Sequence, residues 1–126
     1  MKSRETALRA KRFEVDEKAR KAADLEQMVR EFENMAVDLD RQIQAEEDRT
    51  GVRDRLHFAY STFAKSAGQR RDNLRASAAE LRAKLETAQK DRDQAEEQFS
   101  RASTPDTRDV DRGRRRTERA MPVLMR

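Results

Sequence analysis

Two runs of apolar residues spaced by seven constrain this chain more than anything else in it. The first is Leu8, Val15, Ala22, Val29, Ala36 and Ile43, with Leu25, Phe32 and Leu39 at companion positions. The second is Tyr60, Ala67, Leu74, Leu81, Ala88, Ala95 and Ala102, with companions Ala64, Ala78, Leu85 and Phe99. A helix that keeps a seven-residue repeat presents one seam to a neighbouring helix along its length. Between the runs lies Thr50-Gly51-Val52-Arg53-Asp54. Glycine takes up the left-handed conformation cheaply and so ends a helix, and Asp54 is suited to cap a new one. The pattern predicts an all-α chain, an antiparallel two-helix coiled-coil hairpin over residues 1–102. Its helices fall at about 3–49 and 55–102, with Ser3 as the first N-cap and a connection of about five residues.

Of twelve positions in the first seam between residues 8 and 46, nine are apolar, and Lys11, Lys18 and Glu46 are the exceptions. Eleven of thirteen are apolar in the second seam between 60 and 102, where Arg71 and Arg92 interrupt. Folding at the break brings Val29 near Leu74 or Leu81, and Leu8 near Ala95 or Ala102. Gly68, inside the second helix, predicts a bend or a close helix approach. Pro105 ends the pattern, because proline lacks an amide proton and disfavours helix before it. Residues 103–126 are then expected to form a disordered, flexible basic tail. It carries Arg114-Arg115-Arg116 and a short apolar end at residues 121–125.

Composition agrees with this reading. Charged residues make up 43% of the chain and hydrophobic residues 35%, too polar for a compact globular domain but ordinary for long helices. The net charge of +4 is a small excess over a large mixed population, so most charges solvate helix faces. Pairs such as Glu80 with Lys84 and Glu86 with Lys90 have the spacing that supports an exposed helix. There is no cysteine, hence no disulfide framework or thiolate metal site. The charged N-terminus does not read as a secretory signal, and no apolar run is long enough to span a bilayer. A thin, alanine-rich seam makes a lone hairpin marginal once the cost of ordering the chain is counted. Completion by partner proteins is therefore expected.

Little here supports catalysis. The one histidine, His57, stands beside the turn with only Asp54 near it in sequence, too few groups for a metal site. Three glycines at 51, 68 and 113 do not form a phosphate loop. No enzyme activity, cofactor or metal is expected. Leu56, Phe58, Tyr60 and Phe63 form an apolar cluster beside the turn. Phe58 and Tyr60 are two residues apart, so one helix face cannot bury both. The cluster is either a plug for the hairpin tip or a docking patch for another protein. Phe13, off the seam, poses the same question. Arg71 sits on the seam beside Arg70, either snorkelling past the interface or marking where the hairpin opens. The tail arginines lack interleaved aromatics and are diluted by acids, so nucleic acid is not expected as a partner.

Several stretches resemble the FliJ family of flagellar export proteins in its alphaproteobacterial form. They are Met1-Lys2-Ser3-Arg4-Glu5-Thr6, Lys11-Arg12-Phe13-Glu14-Val15-Asp16-Glu17-Lys18, the turn segment Gly51-Val52-Arg53-Asp54-Arg55-Leu56-His57-Phe58-Ala59-Tyr60-Ser61-Thr62-Phe63-Ala64, and Arg70-Arg71-Asp72-Asn73-Leu74. The resemblance covers roughly residues 1–100 and leaves out the tail. It implies a stalk or adaptor in the flagellar type III protein export apparatus. Such a chain would bind the hexameric export ATPase, a membrane export gate and export chaperones. It would be cytoplasmic and peripheral at the inner membrane of the flagellar base. The ATPase-binding candidates are Lys2, Arg4, Arg9, Lys11, Arg12 and Phe13, with Gln98, Phe99 and Arg101 beside them. Leu56, Phe58, Tyr60, Phe63, Arg70 and Arg71 are candidates for docking other partners on their expected exposure. The alternative is a generic coiled-coil scaffold or oligomerisation protein.

Overall fold

The computed structural model describes residues 2–104. Among them the fold is all-α: α1 spans Lys2–Thr50 and α2 spans Thr62–Ser103, with no strand. The chain divides into two units. A central unit comprises residues 17–92, and a terminal unit contains residues 2–16 together with 93–104. The basic segment 105–126, including the arginines at 114–116 and the apolar end at 121–125, lies outside the described residues.

In the central unit the two helices pack against each other through the heptad seams. Leu39, Ile43, Ala64 and Ala67 form the core, with Tyr60 and Leu74 packed on it. Ala22, Val29, Ala36, Ala78 and Ala88 are also buried. The seam positions between them, including Leu25, Phe32, Leu81 and Leu85, are half-buried. Burial of each large aliphatic contributes about 1.5–3 kcal/mol, and each alanine much less. The segments run antiparallel. Asp40 on α1 pairs with Arg71 and Arg75 on α2, and Glu33, one heptad earlier, pairs with Arg82, one heptad beyond Arg75. Ala36 and Ala78 line one groove between the helices. One heptad on from Ala36 and Ala78, Val29 comes level with Leu85, one turn beyond Leu81 and further still from Leu74, the two expected neighbours.

The start of α2 differs from the expectation. It begins at Thr62 rather than at residue 55, so the connection is residues 51–61 rather than about five. Asp54 does not cap a helix. Its Oδ1 accepts the Leu56 amide at 3.0 Å, a local turn that competes with helix formation. Two backbone turns follow: His57 N–H donates to the Asp54 carbonyl at 3.1 Å, and Tyr60 N–H to the His57 carbonyl at 3.0 Å. Ser61 is the actual cap, its Oγ accepting the Ala64 amide at 3.2 Å. A helix through residues 55–61 would have had to choose between burying Phe58 and Tyr60. The irregular path lets Tyr60 enter the core and leaves Phe58 outside.

Gly51 follows α1 with φ of 74°, the left-handed C-terminal stop expected of it. At Gly68 the close approach is made by arginine side chains and not by α1. Helix α2 continues through this residue, and the Arg55 guanidinium from the connection lies 3.5 Å from where a Cβ would be, with Arg71 at 3.9 Å.

In the terminal unit, Ala95 is buried and Leu8, Lys11, Val15, Phe99 and Ala102 are half-buried. The Arg12 guanidinium lies over the Phe99 ring, 5.6 Å from its centroid, and joins the two segments. Helix α1 is already formed at Lys2, whose carbonyl accepts the Thr6 hydroxyl at 2.8 Å. Ser3 therefore stands inside the helix and is not its cap. At the other end Thr104 N–H reaches the Ser100 carbonyl at 3.0 Å, just before Pro105.

Candidate functional site

The two readings of the aromatic cluster divide residue by residue. Tyr60 is the plug. It is half-buried on the core, and its hydroxyl donates to Glu47 Oε1 at 3.0 Å. Burial first, and the neighbouring carboxylate second, push its pKa up. Leu56 and Phe58 are the patch, 94% and 95% exposed. Phe63, on the first turn of α2, is about half exposed at 53%. The imidazole of His57 stacks on the Phe58 ring, with centroids 4.6 Å apart and planes 24° from parallel. His57 Nδ1 accepts the Ala59 amide at 3.0 Å, which closes the loop around the exposed pair.

This loop is tied to the helices on either side. Ser61 Oγ donates to Glu46 Oε1 at 3.0 Å, so the cap of α2 is fastened to the last turns of α1. Arg49 grips the same carboxylate through two nitrogens, with Nε at 3.1 Å. Those bonds, Arg49 first and Ser61 second, hold the Glu46 carboxyl below the usual carboxylate range, and Glu46 in turn raises the Arg49 pKa. Arg53 pairs with Asp48. Glu46 had looked like a defect in the seam; it is the residue that secures the turn.

Arg71 neither snorkels nor marks an opening. Its side chain is 13% exposed, and Nη1 donates to Asp40 Oδ1 at 2.7 Å. Asp40, and after it Asp72, raises the Arg71 pKa against the opposing effect of burial. Arg70 is exposed and lines a shallow groove with Phe32, Met35, Asn73, Leu74 and Ser77. Asp40, Glu33 and Arg82 were not singled out from sequence, yet a signal existed. Glu33, Asp40 and Glu47 follow one another every seven residues beside the first seam, and Arg75 and Arg82 do so beside the second. Opposite charges flanking two seams set helix orientation and register.

The basic candidates of the terminal unit are only partly gathered. Arg12 and Phe99 meet, as described, and Arg12 also reaches Asp16 at 3.7 Å. Lys11 is half-buried on the seam. Phe13 is 66% exposed, and Lys2, Arg4 and Arg9 are exposed. Arg101 pairs with Glu97 on its own helix.

Among the described residues no three metal-ligating side chains converge, and no buried side-chain polar atom lacks a partner. No described helix is long and apolar enough to cross a membrane. What the arrangement offers is contact surface: an apolar pair on a tied loop and a cationic, aromatic group on the first turns of α1. No family model, curated protein or solved structure matches the chain.

Proposed function

We propose that this chain is a non-enzymatic stalk or adaptor of the flagellar type III export apparatus, binding the export ATPase ring and coupling it to the export gate and chaperones. The observation that carries the reading is the form in which its distinctive residues occur. The turn segment that bears the family resemblance is built to display apolar side chains, with Leu56 and Phe58 almost wholly exposed on a loop fastened at both sides. A chain that only needed to reverse direction would gain nothing from exposing them. Lys2, Arg4, Arg9, Arg12 and Phe13 supply a second, cationic surface for the ATPase. Long-range attraction between charged surfaces speeds encounter and fixes orientation. The expected result is that the purified chain binds the hexameric ATPase and raises its turnover while hydrolysing nothing itself. A pull-down without binding, together with unchanged turnover, overturns the reading.

A generic scaffold that assembles through its helices is the second reading. The half-exposed Met28 and Met35 on α1, at 41% and 45%, favour it. Analytical ultracentrifugation separates the two: a monomer at all concentrations supports the adaptor, and a concentration-dependent oligomer supports the scaffold.

A further inference from the structure

We draw no further inference here: the strongest candidate, the apolar face of α1 at Met28 and Met35 in the central unit with the shallow groove that Phe32, Leu74 and Ser77 line beside it, carries none, because nothing in the structure shows what covers it.

Discussion

The central and terminal units are built from the same two helices by the same seven-residue rule, yet they hold together by different means. The central unit buries Leu39 and Ile43 against Ala64 and Ala67 and flanks this core with ion pairs from α1 to α2. The terminal unit has one buried alanine among its described residues, Ala95, and joins its segments through a guanidinium over an aromatic ring. Periodicity alone therefore does not set strength. A heptad position contributes according to the apolar area it removes from water, and an alanine or a lysine stem removes little. The difference also suits the proposed roles. The well-packed unit carries the fixed loop, and the thinner one carries exposed cations and Phe13.

The comparison can be broken most directly by truncating one seam residue in each unit. Ile43→Ala should cost about 2–4 kcal/mol in urea denaturation, because the cavity opens within the only large-aliphatic cluster of the described core. Val15→Ala, at a half-buried position of the terminal unit, should cost about 1 kcal/mol or less. Equal losses would show that the two units do not differ in packing.

Next in size is the charge on the seam. Asp40→Ala leaves Arg71 half-buried without its main partner and should destabilise by about 1–3 kcal/mol. Arg71→Leu places an apolar residue on an apolar seam and should be neutral or stabilising. Thermal melts of the two variants, read side by side, show whether the pair stabilises the central unit or chiefly sets its register. A coupling of smaller size is expected in the terminal unit. A double-mutant cycle on Arg12→Ala and Phe99→Ala should give about 0.5–1 kcal/mol, the range for a cation over a ring at an exposed site. Zero coupling would remove the contact that distinguishes that unit.

The smallest effects come from pH, and they fall in the central unit. Glu46 has a folded pKa below its unfolded one, so its contribution is complete above the ordinary carboxylate range and is lost as pH falls through the lowered value. Tyr60 has a folded pKa above its unfolded one, so its contribution is complete below the ordinary tyrosine range and is lost as pH rises through the raised value. Stability should thus be flat between these ranges and fall on both sides. Glu46→Gln should blunt the acid limb and Tyr60→Phe the alkaline limb, as followed by circular dichroism.

Much of this fold could be read from the chain before any coordinates. Every seam position from Leu8 to Glu46 and from Tyr60 to Ala102 is buried or half-buried, including the lysines and arginines that interrupt the pattern. That succeeds because a heptad repeat is a local, geometric property of one helix. The start of α2 could not be read the same way. Asp54 and Ser61 are both competent caps, and the choice between them depends on Tyr60 finding a pocket and Ser61 finding Glu46 across the turn. The candidate surfaces were legible as residue types but not as roles. Phe58 and Tyr60 are similar in sequence terms and opposite in exposure.

The sequence by itself determined that there would be two helices, which stripe of each would be covered, and that Gly51 would end the first. These follow from periodicity and backbone sterics, which act over a few residues. Only the tertiary structure decided the register, the length of the connection and which apolar side chains remain outside. Those depend on contacts between residues far apart in the chain: Asp40 with Arg71, Glu46 with Ser61 and Glu47 with Tyr60. The physical reason is that a seam of alanines and leucines fits itself almost equally well when slid by a heptad. The charged pairs beside it, and the single way the loop can close, do not.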